Sequence, residues 1–380
     1  DYMVDTDHSH EPSQRVIDAV VQMFACQGHT LIIDVDDAIT HCDVMPRDPN
    51  DCDSFFGYSG EAASFGALKA IFFDNSHDNG WHYCIFGHRY EDSDCATSGS
   101  SGLGQGPGWN FIVTLGGFTD QTGTEFDQAA TLAHEFGHNL GLSHCGNMDC
   151  GGDTTTSTYV GPYVPNMASI MSYRYQLTGV RTNMIANGMA PDAVALKDID
   201  YSSGRLCSLN ENNLNETVGT YMQPTDWNCN GSFTTGVVKD LNGTNAGWCA
   251  ANGNRTTLSD YNEWANIADP LPSFNEGKVY ECITAEEWAE IQIEMNALGT
   301  GTQPELVVES CIGRNVFLLP GALGTSGTCF SPINNVQYAH DTSPSMSTFF
   351  LRPGTYNDAG ETLLTKPGVY MANLGAAEVR

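Results

Sequence analysis

His134-Glu135-Phe136-Gly137-His138-Asn139-Leu140-Gly141-Leu142-Ser143-His144 has the form H-E-x-x-H-x-x-G-x-x-H. Residues four apart on a helix share a face, so His134 and His138 can present two imidazoles to one ion. Glu135 stands beside them, where a carboxylate can act as a base. Gly141 can adopt a left-handed backbone, end the helix and turn the chain, which brings His144 round as a third ligand. Three neutral nitrogens with one open position make a catalytic rather than a structural zinc site. Upstream, Thr124 is an N-cap with Asp127 three residues on. Phe126, Ala129, Ala130, Ala133, Gly137 and Leu140 repeat at i, i+3, i+4 and predict a helix over 125–141.

This run resembles the zinc signature of the metzincin clan of metalloendopeptidases. Ser169-Ile170-Met171-Ser172-Tyr173 resembles the clan's Met-turn. The resemblance implies that Met171 forms an apolar floor under the metal and that Tyr173 reaches the zinc and steadies the oxyanion. It also implies a twisted, mixed five-stranded sheet above the active-site helix, hence an α+β fold with a C-terminal extension. The flanks of the turn are closer to bacterial secreted members, with pappalysin-like and astacin-like branches both open. The specific likeness spans residues 124–176.

Composition narrows the rest. Forty-six acidic against 15 basic residues give a net charge of −31, which disfavours nucleic acid and anionic membranes as partners. No run reaches the ~20 apolar residues of a membrane helix. The chain starts at Asp1 without a methionine or signal peptide, so a processed mature protein is expected. Thirteen cysteines without a C-x-x-C pair predict disulfides and a secreted, extracellular location. The sequence-close pairings are Cys42–Cys52, Cys84–Cys95, Cys145–Cys150 and Cys229–Cys249.

Along the chain, Tyr2–Val4 ends a first strand, followed by a polar turn with Asp5, Asp7, His8 and His10. That turn reads as a solvated segment or a cation site. Residues 13–27 read as a helix, Thr30–Val35 as a buried strand, and His82–Phe86 and Asn110–Leu115 as further strands. Between the last two, the glycine-rich run containing Ser101, Gly102, Leu103, Gly104, Gln105 and Gly106 is either a flexible linker or, as the resemblance implies, an edge strand for extended substrate. Ser208 to Glu211 has the form of a capping box and predicts a short helix. Asp226, Asn228 and Asn230 have the spacing of a calcium loop, but Val237 stands where an EF-hand needs Glu. A calcium-stabilised turn and a plain Asx-rich turn both fit. Thr284–Leu298 reads as a helix capped by Thr284 and Glu287.

These readings predict a catalytic domain over 1–200, with zinc helix 125–141 and Met-turn 169–173. A lower subdomain over 201–300, with helix 284–298, and a strand-rich region over 301–380 follow. The expected function is zinc-dependent hydrolysis of protein or peptide substrates, with His134, His138 and His144 as ligands, Glu135 as general base, and calcium as a candidate second ion. The competing expectation is an extracellular binding or adhesion module, stabilised by zinc and calcium, with a vestigial protease site.

Overall fold

A computed structural model of the 380-residue chain describes residues 1–47, 52, 55–57, 61–73, 80–148, 150, 161–180, 198–219, 224–242, 254–267, 278–287, 315–318, 336, 339, 347–351, 354–356, 368–371 and 377–379. The chain divides into two units. The first comprises Asp1–Ala25, Thr30–Ser143 and Asn266–Ala297; the second comprises Cys26–His29, His144–Ala265 and Leu298–Arg380.

The first unit is built on a mixed sheet. Strand β1 is Tyr2–Val4, β2 Ala38–Thr40, β3 Tyr83–Gly87, β4 Gly102–Gly106 and β5 Asn110–Thr114. They lie in the order β2-β1-β3-β5-β4, parallel except for β4, which runs antiparallel to β5. These are the five strands of the expected α+β fold. A sixth, β10 (Lys278–Glu281), continues the sheet beyond β4 in antiparallel fashion.

Helix α1 (Gln14–Cys26), expected over 13–27, buries Val16, Ile17, Val20, Met23 and Phe24, a stripe at helical spacing. Helix α2 (Phe65–Phe72) is capped by Ser64 and buries Phe65, Ala67 and Leu68. Helix α3 (Glu125–Asn139) carries the histidine motif. Alternation along the strands sorts the core. Ile85, Leu103 and Ile112 pack with Phe65 and Leu68 of α2. Phe111 faces the other way, its ring 6.1 Å from Phe136 of α3, and Phe136 also meets Phe24 of α1 at 5.5 Å.

Three expectations change here. Thr30–Val35 is not a buried strand: Ile32 is 68% exposed, and pairing begins only at Ala38. Its neighbour β1 starts at Tyr2, paired with Ala38, so the upstream run has no strand to pair with. Cys42–Cys52 and Cys84–Cys95 are replaced by Cys52–Cys95. Arg47 explains this, because it donates to Cys52 O at 2.8 Å and Glu91 O at 2.6 Å and so holds Cys52 beside the 91–97 hairpin. Cys42 and Cys84 keep their thiols, and Cys145–Cys150 forms as predicted. Cys249 lies outside the described residues. Ser208 to Glu211 makes no helix. Leu209–Asn210 is a strand, and the Glu211 carboxylate accepts from Leu241 N at 2.6 Å and Thr256 N at 2.7 Å instead of capping a turn.

The second unit contains β6 (Leu209–Asn210) paired with β9 (Thr257–Leu258), and β7 (Leu214–Asn215) paired with β8 (Thr235–Val237). Further on, β11 (Asn315–Leu318), β12 (Ser347–Leu351) and β14 (Gly368–Met371) form a parallel sheet, and β13 (Gly354–Tyr356) pairs with β15 (Ala377–Val379). The capping box at Thr284 and Glu287 is present, with bonds of 2.8 and 3.1 Å, but the rest of the expected helix 284–298 lies outside the described residues. No helix among the described residues is long and apolar enough to cross a membrane.

Candidate metal centre

Helix α3 begins at a full capping box. Thr124 Oγ1 accepts from Asp127 N at 3.2 Å, and Asp127 Oδ2 accepts from Thr124 N at 2.8 Å. Burial raises the Asp127 carboxyl to about 6. At the other end, Asn139 fastens the helix to the sheet. Its Nδ2 donates to Gln105 O at 2.8 Å and Asn110 O at 3.0 Å, and its Oδ1 lies 2.9 Å from His82 Nδ1. Gly141 then takes φ +90°, and Leu142 N–H donates back to Gly137 O at 2.9 Å.

The motif histidines converge. Ligand-capable nitrogens of His134, His138 and His144 all lie within 4.8 Å of one another, and all three residues are buried. His134 Nε2 and His138 Nε2 are 3.0 Å apart. His138 Nδ1 lies 2.8 Å from Leu142 O, which fixes a proton on Nδ1 and leaves the Nε2 lone pair facing His134. Burial, with the His134 ring adding to it, holds His138 well below the usual imidazole range, so it stays neutral and able to ligate. Three convergent imidazoles make a donor set that suits zinc.

Glu135 is fully buried, and its Oε2 has no hydrogen-bond partner. Its Oε1 accepts from the Cys282 thiol. Burial pushes its carboxyl well above the ordinary carboxylate range, while the Cys282 bond opposes that. Sequence reading missed Cys282, because nothing local links residue 282 to residue 135.

The glycines of β4 have a physical reason that differs from the expected one. Gly102 and Gly104 point at α3. A Cβ at Gly104 would stand 2.7 Å from Glu135 Oε2, and one at Gly102 would stand 2.7 Å from Ile112 O. They let the helix approach, with Leu103 buried on the opposite face. The run 101–106 is thus a strand and not a linker. Both of its sides are paired, with β5 on one and β10 on the other.

In the second unit, Met171 is fully buried, and Tyr173 opens a single helical turn, α4 (Tyr173–Gln176). The Tyr173 ring lies 4.5 Å from that of His144.

Residues 93–170 match the family model described as pregnancy-associated plasma protein-A, Peptidase M43. These are pappalysin-like, metzincin-clan zinc metalloproteases, and the match supports a metalloprotease that acts on proteins. It takes in β4, β5, α3 and all three histidines, and stops one residue before Met171. No curated protein and no solved structure matches the chain.

Asp226, Asn228 and Asn230 lie apart from this, in an exposed turn. Asp226 Oδ2 accepts from Gly231 N at 2.7 Å, Asn228 Oδ1 from Asn230 N at 3.1 Å, and Asn230 Oδ1 from Ser232 N at 2.9 Å. The turn satisfies its own oxygens, as an Asx-rich turn does.

Proposed function

We propose that the chain is a secreted zinc endopeptidase that hydrolyses protein substrates with Glu135 as general base. The observation that carries this is the convergence of His134, His138 and His144 next to a buried glutamate with an unpartnered oxygen. Bound zinc would supply Lewis acidity, polarising the scissile carbonyl and acidifying water. Glu135 takes the proton from the attacking water at Oε2 and delivers it to the leaving amine. The strand β4 and Asn139 hold α3, and with it Glu135, at a fixed height over the sheet. Tyr173 donates a hydrogen bond to the developing oxyanion, a role supported by the metzincin resemblance and by its ring beside His144. Secretion is supported by Cys52–Cys95 and Cys145–Cys150.

A peptide lying extended along Ser101–Gly106 has to displace β10, because β5 holds the other side of β4. Calcium at Asp226, Asn228 and Asn230 is not needed by this function. Digestion of casein by the purified protein, with and without a zinc chelator, tests the proposal. Chelator-sensitive cleavage that Glu135→Gln eliminates is the expected result. A zinc-loaded protein that cleaves nothing would leave the binding-module reading standing.

A further inference from the structure

We propose that His8, His10, His41 and His88 form a second, closed metal site, which takes a divalent cation of the zinc class and pins together the carboxyl ends of β1, β2 and β3. The four residues come from three places in the chain that the sheet makes adjacent. His8 and His10 follow β1, His41 follows β2, and His88 follows β3, in a sheet whose order at this edge is β2-β1-β3 with all three strands parallel. Ligands of open parallel sheets gather at the carboxyl ends of the strands.

The geometry is that of a coordination shell. His8 Nε2 and His10 Nε2 are 3.2 Å apart, His8 Nε2 and His88 Nδ1 3.4 Å, and His10 Nε2 and His88 Nδ1 3.3 Å. A ligand atom of His41 joins them, with all four atoms inside 4.8 Å. Tetrahedral zinc with Zn–N bonds of ~2.0–2.1 Å spaces its ligands about 3.3 Å apart.

Hydrogen bonding alone does not account for this triangle. Each ring nitrogen carries either a proton or a lone pair, so at least two of any three nitrogens are alike, and like pairs repel. One cation accepting a lone pair from each removes the conflict. His41 adds an independent sign, since its Nε2 is buried with no hydrogen-bond partner in the protein. Its other nitrogen, Nδ1, lies 3.3 Å from Asp5 Oδ2 and 3.5 Å from Asp43 Oδ1, while His8 Nδ1 lies 3.5 Å from Asp5 Oδ1. A carboxylate behind a ligating imidazole fixes its tautomer and aims the free lone pair at the metal.

The chemistry narrows the occupant. Four imidazoles and no oxygen donor suit zinc, copper or nickel and not calcium or magnesium. A fourth protein ligand closes the shell, so the ion is structural and has no position for a substrate. Glycine at 116 makes room for one ligand: Gly116 N–H donates to His88 O at 2.9 Å, and a Cβ there would stand 2.7 Å from His88 Cδ2.

The test is a zinc titration of the metal-stripped full chain, with bound metal counted after gel filtration. The parent is expected to hold two equivalents, His134→Ala one, His8→Asn one, and the double variant none. His8 is chosen because its side chain is 17% exposed and its loss spares the core. Asp5→Asn, at the surface, is expected to keep the fold and weaken one of the two equivalents by ~10–100-fold while leaving the other unchanged. A parent chain that takes up a single equivalent, lost in His134→Ala and kept in His8→Asn, overturns the proposal. So does a second equivalent that survives both His8→Asn and Asp5→Asn. Loss of the His134 equivalent alone speaks only to the α3 centre.

Discussion

Among the described residues the chain gathers imidazoles twice, and by two different means. Around α3 the three imidazoles sit within residues 134–144, where helical spacing joins His134 to His138 and the turn at Gly141 brings round His144. At the end of the sheet they are drawn from residues 8 to 88, and only the order of the strands makes them neighbours. The first group has three imidazoles and a buried carboxylate with an unpartnered oxygen; the second has four, backed by Asp5 and Asp43. Three ligands beside a base leave a place for reaction, whereas four ligands close the shell. On the proposed readings the same side chain serves turnover in one place and cross-linking in the other, depending on what completes the shell.

The sharpest way to break this contrast is at Glu135. Glu135→Gln is expected to lower turnover by ~10²–10⁴-fold, measured on a quenched peptide, with metal content unchanged at both clusters, because the proposed role of Glu135 is that of a base and not of a ligand. If the variant keeps parental turnover, Glu135 is not the base. Tyr173→Phe is expected to cost on the order of 10²-fold or less in kcat with little change in KM, since zinc shares the oxyanion charge. Unchanged kcat would reduce Tyr173 to a packing residue beside His144.

A smaller effect separates the scaffolds. Gly104→Ala must push Glu135 away from β4, and overpacking of this kind costs ~1–3 kcal/mol. Thermal unfolding should show that loss and peptide assays a fall in kcat, while the metal at His8, His10, His41 and His88 stays bound. The mildest change concerns β10. Adding a peptide-like inhibitor is expected to speed amide hydrogen exchange across Lys278–Glu281 without altering it around His88. Unaltered exchange in Lys278–Glu281 under saturating inhibitor would mean that substrate does not use the β4 edge.

What the sequence disclosed follows the range of the interactions. Helices α1 and α3, the capping box at Thr124, the turn at Gly141 and the strands β3 and β5 are written in periods and spacings within about fifteen residues, and they read directly. The exposed run Thr30–Val35 misled because its β-branched residues have strand propensity but no neighbour to pair with, and that depends on where β1 begins. The bond from Cys282 to Glu135, the Cys52–Cys95 disulfide and the meeting of His41 with His88 are products of tertiary placement. His8 and His10 were noticeable as a polar pair, but their partners carried no local mark.

The strand β10 has a bearing on how the protein is made. Gly106 pairs with Lys278, so this edge of the sheet is completed only after residue 281 has left the ribosome. Everything needed to form β1 to β5 and α3 is synthesised well before that. During the interval β4 presents an unpaired row of backbone groups, the kind of edge that recruits other chains. Its glycines help here, because a strand with so little apolar side chain is a poor template for aggregation. Closure over so long a stretch of chain is slow compared with local pairing, so the nascent molecule passes through a stage with the edge beside Glu135 open before its own downstream segment covers it.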